Sequence, residues 1–325
     1  MKQAITRFSA LCRRHGSPWS GFACCLALLW FGVSTLFATG REGVVMVINS
    51  DEEVPYYQQA QLEFQKNLAE SRSLHVVNLA GNNVTSGELR NMVVNRRPQV
   101  VYAIGSKAYL LLKDLGIQQP IIFSSVINWE RVPLERGVHG IANEIPPPVQ
   151  FYYFRYFFPK VRRVGVLYNR AFNHELVKKA EAAARDVGIE LVPLSVTRPR
   201  RAISLLEKNA ANLDALWLIS DPVVFSKKEQ VGRLFAIAEA GKLPVFAYSE
   251  AFTDQKGVCL VISVDIPTVG RQAAGLIGRV TEDPGMSSRV QSPAGSFITI
   301  NLKHIKNFGL ELNDEALDSV NHIIE

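Results

Sequence analysis

Candidate chemistry sits at a repeated kind of position: an apolar run closes on a small polar or acidic residue. The run ends are Asn49-Ser50-Asp51, Gly105-Ser106, Ser124-Ser125, Asn169, Ser220-Asp221, Ser249-Glu250 and Asp265. Hydroxyls at Ser106, Ser124, Ser125 and Ser249 suit a ligand carboxylate, and Asp221 or Glu250 suits an ammonium, provided apolar or aromatic walls exclude water. Several of these residues also have a purely structural role open to them. Ser106, Asn169 and Asp265 are placed to cap helices, Asp221 before Pro222 suits a turn, and Tyr56 or Tyr57 can half-bury against a sheet edge.

Catalytic spacings are poor by comparison. No Gly-x-Gly-x-x-Gly follows a strand, and neither a phosphate-loop lysine pattern nor Gly-x-Ser-x-Gly occurs. His75, His139, His174, His304 and His322 are dispersed, without the i, i+4 pairing or neighbouring cysteines of a zinc site. The sequence alone does not bring an acid pair such as Asp51 and Asp221 within range for acid-base work. The expectation is a binding protein that breaks no bond and uses no cofactor or metal, with an enzyme on two α/β lobes kept as a minor reading.

Polar tips of this kind need strands to present them. Residues 44–48, 76–79, 100–104 and 121–123 are short, apolar and β-branched, as in parallel strands covered on both faces. Helical spacing fills the intervals, with Ala60, Phe64 and Leu68 four apart, a second helix opening at Ser86 and a third over 107–115. Residues 136–149 hold glycines and then Pro146-Pro147-Pro148, which predicts an extended connector between lobes. A second series follows, with strands at 164–168, 191–196, 215–219 and 245–248, a strand at 258–264 and a last strand and helix near 297–310. The alternation predicts an α/β fold of two Rossmann-like lobes, each a mostly parallel sheet flanked by helices. The expected division is 41–143 plus about 256–283 for the first lobe, and 144–255 plus about 284–325 for the second.

The first 40 residues contain Lys2, Arg7, Arg13 and Arg14, no acid, and an apolar stretch over 21–37, which is the layout of a secretory signal. Ala38-Thr39-Gly40 offers the exit, so a mature start near Arg41 and a periplasmic location are expected; an uncleaved membrane anchor is the alternative. Without those residues the 36 basic groups fall to 32 against 30 acids, so the basic balance belongs largely to the leader. Arg198-Pro199-Arg200-Arg201 reads as a solvated loop, and no nucleic-acid partner is expected. Cys259 alone remains after the leader, a small buried hydrophobe rather than half of a bridge.

Beyond the general pattern, particular residues resemble a family. Val164-Gly165-Val166-Leu167-Tyr168-Asn169, Leu243-Pro244-Val245-Phe246-Ala247-Tyr248-Ser249-Glu250, Val264-Asp265 leading to Gly270-Arg271-Gln272-Ala273-Ala274, and Ile300-Asn301-Leu302-Lys303 are similar to ABC-transporter substrate-binding proteins. The best-understood members bind aromatic amino acids. The resemblance covers most of residues 98–310 and implies a type I periplasmic-binding-protein fold with a multi-segment hinge, closing on a ligand. Family contact positions fall here on Ser50, Asp51, Ser106, Asn169, Asp221, Ser249 and Glu250. Two loops depart from the family pattern, 123–128 and 49–57, and add Ser125, Asn128 and Tyr57 to the candidate ligand-binding set.

The resemblance therefore implies an exported, monomeric component of an ABC-type importer. It would capture a small ligand, an amino acid or similar compound, and deliver it to a membrane permease. The alternative is a ligand-sensing domain of the same fold that signals to a membrane partner.

Overall fold

The computed structural model describes residues 43–81, 84–283 and 285–325; the leader expected at 1–40 lies outside the described residues. The first sheet holds β1 (Val45–Asn49), β2 (Leu74–Asn78), β3 (Val100–Ile104), β4 (Ile121–Ser124) and β5 (Val138–Ile141) in the order β2-β1-β3-β4-β5, all parallel. β1 and β3 are buried at every position, which is why they read as continuous apolar runs. Helices α1 (Pro55–Asn67), α2 (Ser86–Arg96) and α3 (Ser106–Leu115) connect them. The α2 start is fixed by a capping box, with the Thr85 hydroxyl accepting from the Glu88 N–H and the Glu88 carboxylate accepting from the Thr85 N–H.

Next comes α4 (Pro147–Phe157), where the triple proline predicted an end to regular structure. Proline in the first helical turn loses no hydrogen bond, because that N–H has no intrahelical partner, and its fixed φ suits the helix. The second sheet follows: β6 (Arg163–Tyr168), α5 (Arg170–Asp186), β7 (Glu190–Ser195), α6 (Pro199–Asn209), β8 (Ala215–Trp217), α7 (Lys228–Ala240), β9 (Val245–Ala247) and β10 (Val258–Val264). Its order β7-β6-β8-β9-β10 repeats that of the first. Pro199 likewise opens α6 inside the basic cluster that was expected to be a loop. Phe151 and Phe154 of α4 pack their rings on Trp217 and Phe246, an aromatic core in which each fully buried side chain contributes about 1.5–3 kcal/mol.

After β10 the chain returns to the first lobe. Helix α8 (Ile266–Glu282) lies against α1, and Gly270 meets the Ala60 carbonyl where a Cβ would not fit. β11 (Val290–Gln291) adds to β5, and then β12 (Ser296–Asn301) pairs antiparallel with β10, followed by α9 (Leu302–Phe308) and β13 (His322–Ile324). The expected division gave 256–283 to the first lobe and the rest to the second. Instead β10 belongs to the second sheet and β11 to the first, so one crossing falls at Asp265 and another at 292–295. The two crossings are joined where the Asp265 N–H donates to the Gly295 carbonyl at 3.2 Å. With residues 142–146 they form a three-segment hinge between two mostly parallel, helix-flanked lobes.

Candidate functional site

Strand order 2-1-3-4-5 places a switch point between β1 and β3 in one lobe and between β6 and β8 in the other, where loops part and a crevice opens. A cleft of about 550 Å³ lies between the lobes, bordered in the second lobe by the segments after β6 and β8 and in the first by the segments after β4 and β5. Asn128, Trp129, Glu130 and Arg131 form its first-lobe wall, and the hinge residues 142–146 with Pro147 and Pro148 of α4 form its floor. Residues 170–176 at the start of α5, with Trp217, Ser220 and Tyr248, form the second-lobe wall. A more open groove of about 560 Å³ between Tyr152, Tyr156 and residues 311–315 borders the second lobe alone.

Two contacts cross the mouth of the cleft. Lys179 of α5 lies 3.6 Å from Glu130, and the Arg131 guanidinium sits 4.0 Å above the Phe172 ring. Both charges of the ion pair are more than half exposed, so it steadies this arrangement of the lobes only weakly. The cation over an aromatic face contributes on the order of 0.5–1 kcal/mol at such a site. Trp217 closes the floor, its Nε1 donating to Gln150 Oε1 at 2.9 Å while Gln150 Nε2 donates to the Ile145 carbonyl at 2.7 Å.

The second-lobe wall is shaped from behind by Asp221. Its Oδ2 accepts from the Asn169 N–H at 2.6 Å and Asn173 Nδ2 at 2.8 Å, and Oδ1 accepts from the Val223 and Val224 N–H groups at 2.9 Å. All four bonds lie within the protein and Asp221 is buried. Asn169 caps α5 by accepting from the Ala171 N–H, while its Nδ2 donates to the Val196 carbonyl. Asn173, held also on the Ser220 carbonyl, breaks the helix with φ −128° and ψ 20°, just after Arg170 and Phe172, which line the cleft.

A matching group of residues occupies the first-lobe switch point. The Ser50 hydroxyl accepts from the Ala108 N–H at 3.0 Å, and Gly105, at φ +87°, leaves no room for a Cβ, which would meet Ser50 Oγ at 2.5 Å and Tyr57 Cζ at 2.7 Å. Gly105, not Ser106, caps α3; the Ser106 hydroxyl instead accepts from the Ile127 N–H at 3.1 Å and so holds the loop after β4. Burial, aided by Tyr56 and Asp51, pushes the Tyr57 hydroxyl far above its ordinary range.

Of the ten predicted residues, only Asn128 lines the cleft directly. Asn169 and Asp221 stand behind the second-lobe wall, and Ser50, Tyr57 and Ser106 cluster behind the first. Asp51 Oδ1 accepts from the Glu53 N–H, and Ser249 Oγ from the Ala251 N–H, each closing its own turn. Glu250 turns toward the antiparallel pair β10 and β12, accepting from Ser263 Oγ at 3.1 Å and Thr299 Oγ1 at 3.0 Å. Ser125, at φ +56°, is buried with its hydroxyl paired to no group among the described residues.

The cleft residues that sequence reasoning passed over are Trp129, Arg131, Glu144, Phe172, Trp217 and Tyr248. Glu144 is the most informative, because burial pushes its carboxyl up to about 7. The neighbouring Glu130 charge acts in the same direction, while the Asn128 and Asn143 backbone groups bond to the carboxylate and oppose it. A lone acid just ahead of a proline run, inside a segment read as a lobe crossing, was the available signal. Tyr248 is also raised, chiefly by burial, although its side chain bonds to Ser220. Among the described residues no three His, Cys, Asp or Glu side chains are grouped to hold a metal, and no helix is long and apolar enough to cross a membrane.

This two-lobed arrangement is a type I periplasmic-binding-protein-like fold. The sequence profile of the family described as ABC transporter substrate binding protein matches residues 58–324, and the chain belongs to that family. Among solved structures it is similar to a substrate-binding protein with adhesive properties from Clostridium difficile, in a ligand-free, open form. That match has TM-score 0.68 and 17% identity, over 87% of this chain and 99% of that one. It is similar also to the ABC domain from Streptococcus pneumonia in complex with L-Trp, with TM-score 0.59 and 17% identity over 87% and 99% of the two chains. A conserved domain protein from Vibrio cholerae gives TM-score 0.58 and 20% identity over 86% and 99%. No curated protein sequence matches the chain.

Proposed function

We propose that the protein is the exported, periplasmic solute-binding component of an ABC importer, which traps a small ligand of amino-acid size between its lobes and hands it to a membrane permease. The observation that carries this reading is the cleft of about 550 Å³ walled by both lobes over a hinge floor, within the range of small-molecule pockets. A ligand that touches both walls only when they are shut stabilises the shut state by its differential affinity, which is capture without catalysis. Aromatic surfaces at Trp129, Phe172 and Tyr248 suit a ring-bearing solute, and the bound L-Trp of the Streptococcus relative supports starting from aromatic amino acids. Asn169, Asp221, Ser50, Tyr57 and Ser106 then act by holding the walls in place, and Asn128 by contact.

The test is native purification of residues 41–325 followed by mass spectrometry of the small molecules carried along, then thermal shift with amino acids. A true ligand at a hundredfold excess over its dissociation constant stabilises by about 2.7 kcal/mol. Covalent conversion of the trapped compound, rather than its release unchanged, would refute the reading.

A further inference from the structure

A ligand with a positive nitrogen needs a carboxylate in the cleft that is not already committed. Asp221 accepts four hydrogen bonds from its own lobe, and Glu250 is turned onto Ser263 and Thr299. Glu130 faces Lys179 at 3.6 Å, and Glu175 is exposed at the rim. Glu144 remains. It lines the floor, is only partly accessible, and has no Lys, Arg or His paired to it among the described residues; its partners are the backbone groups of Asn128 and Asn143.

We propose that Glu144 receives a cationic nitrogen of the ligand, so that the cleft selects amine-bearing compounds over their des-amino analogues and loses a proton as it binds them. This rests on the solute-binding reading above. The electrostatic setting supports it. From the first lobe Glu130 adds negative potential, and from the second the Tyr248 hydroxyl lies near enough to feel the Glu144 charge. The cations of the cleft are drawn elsewhere or stand on α5: Arg131 covers Phe172, Lys179 faces Glu130, and Arg170 and His174 belong to the opposite wall. A half-buried carboxyl that burial holds protonated near neutrality binds an ammonium well only once ionised. The arriving cation lowers its pKa again, and the proton leaves to solvent. Affinity for amines therefore rises with pH toward about 7 and is level above it.

The experiment is calorimetry at about pH 6.5 in two buffers of different ionisation enthalpy, on wild type and Glu144→Gln, with L-tryptophan, tryptamine and indole-3-propionate as probes. Wild type should bind the two amines at least about tenfold more tightly than indole-3-propionate, as loss of a charged hydrogen bond implies, with heats that depend on the buffer. Glu144→Gln should lose both the discrimination and the buffer dependence while remaining folded by its melting curve. Unchanged amine affinity in the variant, or equal binding of indole-3-propionate to wild type, overturns the assignment of Glu144 alone. Binding of no probe by wild type counts against the solute-binding reading, and the assignment falls with it. A carboxyl-carbon NMR titration of the free protein checks Glu144 without any ligand, and titration in the ordinary glutamate range would refute it.

Discussion

The Asn169 N–H donates to Asp221 Oδ2 at 2.6 Å, and the same oxygen takes Asn173 Nδ2 at 2.8 Å. One buried carboxylate thus fixes the start of α5, the break one turn later, and through them the residues that face the cleft. Asp221 was expected as a ligand contact, and its geometry gives it a different first duty.

Asp221→Ala should therefore lower both stability and ligand affinity. The change strands the Asn169, Val223 and Val224 N–H groups away from water, which costs on the order of 2–4 kcal/mol. Urea denaturation would show it, and a variant that unfolds at the wild-type midpoint would contradict the account.

Gly105→Ala tests the first-lobe switch point. A methyl group there meets Ser50 and Tyr57 in a backbone held at φ +87°, so a loss of about 1–3 kcal/mol is expected. Gly81, at φ +68° with nothing within 4 Å, is the control: its alanine variant should lose less, because only the backbone term applies.

The Glu144 carboxyl gives stability a definite pH dependence. Its folded value of about 7 stands above the ordinary 4.5, so between those values the folded chain holds a proton that the unfolded chain has lost. Stability contributed by this group is complete below pH 4.5, declines as pH rises through the window and is constant above about 7. Glu144→Gln should flatten that slope and unfold later than wild type above pH 7, by up to about 3 kcal/mol. Melting curves from pH 4 to 8, about the window edges, read the difference.

Across the mouth, Phe172→Ala should weaken ligand binding more than Lys179→Ala does. Phe172 supplies apolar wall and the face beneath Arg131, whereas the exposed Lys179–Glu130 pair is worth at most about 1 kcal/mol and fades with salt. Dissociation constants at low and high ionic strength separate the two.

The strands were legible because parallel strands buried on both faces leave unbroken apolar runs, as in β1, β3 and β6. The lobe crossings at Asp265 and 292–295 were not. β5 includes His139 and Gly140, which interrupt such a run, and β11 is two residues long. Helix α4 was hidden by its own opening prolines. The site was legible only as far as the switch points: Ser50, Ser106, Asn169 and Asp221 do collect at strand ends, yet they bond inward. The surface that lines the cleft comes from 128–131, 142–148 and the first turn of α5, segments brought together by the meeting of the lobes rather than by any spacing along the chain.

Because each half keeps its own internal clasp, Ser50 with the Ala108 N–H on one side and Asp221 with Asn169 on the other, the framework makes few demands on side chains at the opening. Mutations at Trp129, Phe172 or Tyr248 can then reshape the lining of the cleft while the bonds that hold each half together are left in place.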